Sequence, residues 1–290
     1  VFSAVAAVLL VVVFRARRQG GGSPAAGAPP AVPAAPALPP ATGTVVRALP
    51  PSALAPQSAE AGRPPLAQPS SKDVAAVIDG RDASLEARLA ALSRLGKGLP
   101  EKDVDALFAF LDRRDSDDAL PPEKLNALKN DAANVLRSQS VLPEVLPWRL
   151  AAMWRDPEHD DVWRDYCIQH AGAAWSRIGN LKARGEVRTV LWTAASDPSL
   201  PGSGTALIAL RNLASSGAED RAKVADRAAV SAASPDAPEG VRVTALQVAA
   251  EAGFDGTAGL ARSILASRQN PVHLRMSAAA ALGRVGDASD

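Results

Sequence analysis

Cys167 and His170 stand three residues apart, with Asp160, Asp161 and Asp165 close by. On a helix, i and i+3 share a face. That arrangement would pair a thiolate with an imidazolium or, with the carboxylates, hold a metal ion. Register favours a plainer role, because Cys167 takes a slot that is alanine in later segments and so reads as a small packing residue. Other reactive groups are sparse. The histidines are His159, His170 and His273, the one cysteine excludes an internal disulfide, and no GxSxG, GxxxxGK[ST] or HExxH occurs. The stretch GFDGTAG (253–259) reads as a turn in which Thr257 caps the next helix rather than as a phosphate cradle. No catalytic residue, metal site or cofactor is expected, and the chain reads as a non-enzyme.

The elements that carry these groups follow from composition and period. Of 290 residues 47% are hydrophobic but only 4% aromatic, so the core must come from small and aliphatic side chains, which suits closely packed helices. Leu274, Ala278, Ala281 and Val285 fall at i, i+4, i+7 and i+11 on one helix face. Val241, Ala245, Val248 and Ala252 repeat the pattern 33 residues earlier, with Arg242 on Arg275 and Gly253 on Gly286, both glycines placed for a left-handed C-cap. A further 36 residues back, Ala209, Leu213 and Gly217 take the places of Ala245, Ala249 and Gly253. Asp-Pro at 156–157 and 197–198, Ser-Pro at 234–235 and Asn-Pro at 270–271 mark the same period independently, each as a stop before the next helix. A period near 35–40 with two helices per unit is the mark of an α-solenoid. First helices are expected near 84–96, 123–138, 160–176, 203–215, 238–252 and 271–284. Second helices are expected near 101–113, 143–155, 184–196, 218–233 and 257–267, which leaves the sixth first helix without a partner.

The segment LRMSAAAALGRVGD (274–287) resembles the first helix of a HEAT repeat of the short, phycobilisome-lyase-like type: an apolar residue, Arg, two unspecified residues, Ala-Ala, then Ala-Leu-Gly and Gly-Asp. Val241 to Gly253 matches less fully, and LEARLAALSRLG (85–96), LNALKNDAANVL (125–136) and VWRDYCIQHAGA (162–173) match loosely. The resemblance spans about residues 73–290. It implies an all-α, right-handed solenoid of about five to six helical-hairpin repeats, with second helices lining the concave surface and Arg242 and Arg275 in structural ion pairs or carbonyl contacts. It also implies an alternative function, a lyase- or chaperone-like accessory, although fold alone carries no activity.

Three segments are expected. Residues 1–18 open with VFSAVAAVLLVVVF and close with RARR, which reads as a transmembrane or signal anchor, with a cleaved signal peptide as the alternative. Residues 19–71 hold 13 of the 24 prolines and read as a disordered Pro/Ala-rich tether. Residues 72–290 form the solenoid, and the chain is expected to be truncated at both ends. A long spacer after a single-pass anchor suits repeats held on the extracytoplasmic, periplasmic side, whereas RARR favours a cytoplasmic side by the positive-inside rule.

Charge narrows the partner. The first 71 residues carry five arginines and one glutamate, which leaves 27 basic and 30 acidic residues beyond. A slightly acidic domain lacks the surplus of bases that nucleic acid requires. The run DRRDSDDALPP (112–122) reads as a solvated loop. Second helices nonetheless contribute Arg149, Arg155, Arg184, Arg188, Trp192, Arg221 and Arg262, with Lys223 and Arg227 beside them. These form a candidate basic stripe for an acidic segment of another protein, with Trp192 supplying buried area. Of the aromatics concentrated at Trp148, Trp154, Trp163, Tyr166, Trp175 and Trp192, most read as core and Trp148 and Trp192 as surface. The function expected is a membrane-tethered, non-catalytic scaffold for protein-protein interaction.

Overall fold

A computed structural model describes residues 69–79, 84–114 and 118–286. The expected anchor and nearly all of the expected tether lie outside these residues. Twelve α-helices and no strand occur among the described residues: α1 (Lys72–Ile78), α2 (Leu85–Arg94), α3 (Glu101–Leu111), α4 (Pro122–Arg137), α5 (Leu146–Arg155), α6 (Asp161–Ala174), α7 (Leu181–Ser196), α8 (Ser203–Ser215), α9 (Arg221–Ala233), α10 (Glu239–Ala252), α11 (Thr257–Ala266) and α12 (Val272–Val285). A 3-10 turn (Trp175–Arg177) extends α6. Local chemistry sets the boundaries. The side chains of Ser71, Ser84, Asp160, Asn180 and Asp220 accept from first-turn N–H groups. Prolines 100, 121, 238 and 271 sit at N-cap positions of α3, α4, α10 and α12, where an imide nitrogen forgoes no helical bond.

Two left-handed glycines end helices as expected, Gly217 after α8 and Gly253 after α10. Gly286 does not: its φ is −76°, so it leaves α12 in extended backbone. Thr257 is no cap either, since it is the buried first residue of α11 and its hydroxyl donates to Phe254 O at 2.6 Å.

Packing runs in two rows. Each even-numbered helix lies along the next, from α2 through α4, α6, α8 and α10 to α12. The odd-numbered helices flank this row, and the closest pairs join each to the even helix that follows, such as α9 with α10 and α11 with α12. Two sequence expectations change here. The sequence shows no helix before residue 84, yet α1 is present and pairs with α2; and α12 has its partner in α11. Ser70 and Ser71, placed in the tether by composition, are held by Asp103 through N–H bonds of 2.7 and 3.2 Å.

Small residues let the even row close up. Ala132, Ala133, Ala171, Ala174, Ala209, Ala245, Ala249 and Ala278 are all buried in it. The tightest approach is between α6 and α8, where a Cβ on Gly172 would stand 2.7 Å from the Cβ of Ala209. Alanine gains up to about 1 kcal/mol over glycine in a helix interior, but overpacking costs about 1–3 kcal/mol, so sterics should win. Gly172→Ala is therefore expected to lower stability, and Ala209→Gly in the same chain to restore most of the loss. A denaturant double-mutant cycle measures the coupling, and additive effects would refute the contact.

One recurring contact closes the ends of odd-numbered helices. In α1, α5, α7 and α9 the penultimate carbonyl (Val77, Trp154, Ala195, Ala232) accepts from the Nε of Arg88, Arg164, Arg227 and Arg242, at 2.8, 2.8, 2.8 and 3.2 Å. These carbonyls lack intrahelical donors and sit at the negative helix end, so a guanidinium satisfies both needs. Arg88, Arg164 and Arg242 are each the fourth residue of an even helix. Where α8 has Ala206 in that slot, Arg227 reaches over from α9; where α4 has Leu125, Lys129 donates to Arg113 O from one turn later. Arg242 thus makes the kind of contact that the resemblance implies.

Candidate interaction surface

Cys167 and His170 both lie inside the fold. Cys167 is buried in α6, and burial pushes its thiol well above the ordinary cysteine range, so no thiolate forms near neutrality. His170 is buried as well, its Nε2 3.1 Å from Asn130 Oδ1; burial, helped by the charge of Arg137, holds its pKa down at about 4. Asp160 caps α6 and accepts from Asn126 at 2.6 Å, and Asp161 pairs with Arg164 at 3.0 Å. Burial raises the Asp165 carboxyl against a hydrogen bond with Thr205. No group of three or more His, Cys, Asp or Glu that could hold a metal ion occurs among the described residues.

A cleft of about 500 Å³ lies over the first turns of α6, α8 and α10 and is lined by Asp161, Val162, Ser203, Thr205, Ile208 and Thr244 among others. It is shallow and presents no paired acid and base. In the run 112–122, of which 115–117 lie outside the described residues, the described charges are paired rather than solvated as the composition suggests. Asp118 is buried under Arg88 and Arg113, Arg114 pairs with Asp156 at 2.5 Å, and Asp112 meets His159 at 3.3 Å. His159 and then Arg114 and Arg149 hold the Asp112 carboxyl below its usual range against the effect of burial. Charges that a sequence window shows as a polar run are here ion pairs between hairpins.

The candidate stripe is carried by α5, α7, α9 and α11, which together contain nine basic and only two acidic residues. Its members differ in what they already hold. Arg149 is exposed on α5 beside exposed Trp148. Arg155 pairs with Glu186. Arg184 donates to Ile178 O at 2.6 Å with Trp175 5.9 Å away. Arg221 closes the end of α10 through Ala252 O and Glu251 O, both at 2.9 Å. Arg262 is exposed on α11 and Lys182 on α7. Of the aromatics, Trp154 and Trp163 are buried and Tyr166, Trp175 and Trp192 half-buried.

At the centre Arg188 and Trp192 converge on a residue that sequence reasoning missed. Glu219, before α9, accepts from Arg188 Nε and a second guanidinium nitrogen at 2.7 Å each and from the Trp192 indole at 2.8 Å, while the Lys223 ammonium lies 4.4 Å from the Trp192 ring centre. The bidentate fork and the indole fix the carboxylate in one place. Burial opposes its ionisation, but these donors and the Asp220 N–H bring its pKa down to about 2. Only its place one residue before the cap Asp220 marked it in sequence.

A depressed carboxylate contributes stability that is complete above the unfolded-state pKa, ordinarily 4.5, and is lost as pH falls through about 2. Glu219→Gln is therefore expected to be clearly less stable than the parent at pH 7, with the gap shrinking between pH 4.5 and 2. Denaturant midpoints across that range test it, and a gap that stays constant would rule out the ionised contact.

Compared with known proteins, the chain matches no family model, no curated protein and no solved structure.

Proposed function

We propose that the two-row array is an α-solenoid of HEAT-like helical hairpins acting as a non-catalytic protein-protein interaction scaffold. The odd-numbered row, which the HEAT resemblance assigns to the concave surface, receives an acidic segment of another protein. The observation that carries this reading is the surplus of nine basic over two acidic residues on α5, α7, α9 and α11, against five basic and four acidic on α6, α8, α10 and α12. An asymmetry between two faces of one array steers an oppositely charged chain to one of them. Trp148, 40% exposed, and half-buried Trp192 offer apolar area within the basic field. Glu219 supports the chemistry from inside the fold: a carboxylate held by Arg188 and Trp192 is an intramolecular example of what this face binds.

The apolar stretch of residues 1–14 and the proline-rich stretch after it support tethering this scaffold to a membrane, with the array on the extracytoplasmic side. No described helix is long and apolar enough to cross a membrane.

The test leaves in place the arginines that hold carbonyls at helix ends. Arg149, Lys182 and Lys223 are exposed, and none of them is bonded to such a carbonyl among the described residues. A Glu/Asp-rich probe peptide should bind the chain in low salt and perturb tryptophan fluorescence, with affinity falling as salt rises. Reversing all three charges to glutamate should weaken binding at least about tenfold while helicity by circular dichroism is kept, as expected for loss of about 1.4 kcal/mol or more. Unchanged affinity in the reversed chain would remove this face from the function.

A further inference from the structure

The last even helix carries the same interface as its predecessor, but uncovered. With the 33-residue register, Leu246, Ala250 and Ala252 of α10 correspond to Ala279, Gly283 and Val285 of α12. The first three are buried; the second three are exposed. Half-buried Val243 corresponds to Met276, which is 58% exposed, and Val272 one turn earlier is 64% exposed. The face Val272, Met276, Ala279, Gly283 is an apolar stripe at i, i+4, i+7 and i+11, the spacing by which even helices stack elsewhere in the chain.

Two polar features end at the same place. Arg88 donates to Asp118 at 2.8 and 3.0 Å and Arg242 to Asn270 at 3.3 Å, so two of the fourth-position arginines reach a polar residue 28–30 positions later, in the turn of the following hairpin, whereas Arg164 pairs with Asp161 of its own helix. Arg275 holds that position in α12, where it is half-buried. At the other end of the helices Arg211 of α8, Glu251 of α10 and Arg284 of α12 form an alternating ladder, in which Glu251 pairs with both arginines. The next rung calls for a carboxylate.

We propose that the outer face of α12 is a stacking surface for one more helical hairpin of the same kind, received in cis as a continuation of the array. The incoming even helix places small and aliphatic residues against Met276, Ala279 and Gly283 and an acidic residue in its last turn beside Arg284. The turn of that hairpin brings an Asp or Asn to Arg275. A second copy of the chain fits less well, because one helix face buries too little area for a stable dimer, whereas a covalently joined hairpin needs no such area.

The experiment replaces residues 287–290 by a second copy of residues 254–286 joined directly to Gly286, with glutamate at the copy's equivalent of Arg284. The copy carries its own equivalent of Asn270, 28 residues beyond Arg275. Its expected effect is a rise in the thermal midpoint of about 4 °C or more and protection of the added segment from protease, since each new interface adds to its neighbours. Met276→Glu should abolish both in the extended chain yet shift the midpoint of the original chain by no more than about 1 °C, as befits an exposed site. An added segment that is trimmed back while the midpoint stays unchanged overturns the proposal, and so does a gain that survives Met276→Glu.

Discussion

Asp118→Ala is expected to destabilise the fold by about 3–5 kcal/mol, the usual cost of leaving one charge of a buried pair uncompensated. Both side chains of the Arg88–Asp118 pair are 0% exposed. Arg88 is committed three ways: Nε to Val77 O, both terminal nitrogens to Asp118 and the guanidinium 5.3 Å from the Phe110 ring centre. Without Asp118 it can neither leave nor be solvated in place. Burial opposes ionisation of Asp118, yet the Arg88 fork and the Leu120 N–H hold its carboxyl below the ordinary range. Asp118→Asn, which keeps an acceptor but loses the charge, should fall between. Arg88→Met with Asp118→Leu should cost much less than the two single changes together, because neither of the two fully buried charges remains. Urea denaturation of the set decides the matter, and a loss under about 1 kcal/mol for Asp118→Ala would show that the pair does not hold α1 and α2 to the next hairpin.

Trp163→Ala should cost about 3–5 kcal/mol through the cavity it opens. Trp163 is the largest fully buried side chain in the array, on the inner face of α6, with the Lys129 ammonium of α4 5.4 Å from its ring centre. Its indole N–H has no hydrogen-bond partner among the described residues, so the contribution there is area and the cation-ring contact. Trp163→Phe should therefore lose distinctly less than Trp163→Ala, since a ring face remains for Lys129 and no donor is orphaned. Thermal melts give the order, and equal losses in the two variants would mean that ring area is not what α6 contributes.

The helix positions were legible from sequence because the information that sets them is local. Eleven helices lie where apolar period, capping side chains and the prolines at 157, 198, 235 and 271 put them, each within a few residues. Local signals failed where the element was too short for a period: α1 has seven residues and only Val74 and Val77 buried, and its one signature is the Ser71 cap. They also failed where a polar run buries its charges against another hairpin, as at Asp118, because composition cannot distinguish solvent from a guanidinium 30 residues away.

What the sequence by itself determined is the all-helical character, the period and the small-residue slots, including Cys167 as packing rather than chemistry. What only the tertiary structure decided is which arginines are already engaged. Arg164 and Arg227 end on backbone carbonyls of a neighbouring helix, and Arg188 ends on Glu219, whereas Arg149 remains exposed. In a one-dimensional reading these are equivalent basic positions on amphipathic helices. They become different because an arginine side chain reaches across a helix pair to whatever orphan acceptor lies there, and the placement of helix ends in space sets which acceptors exist.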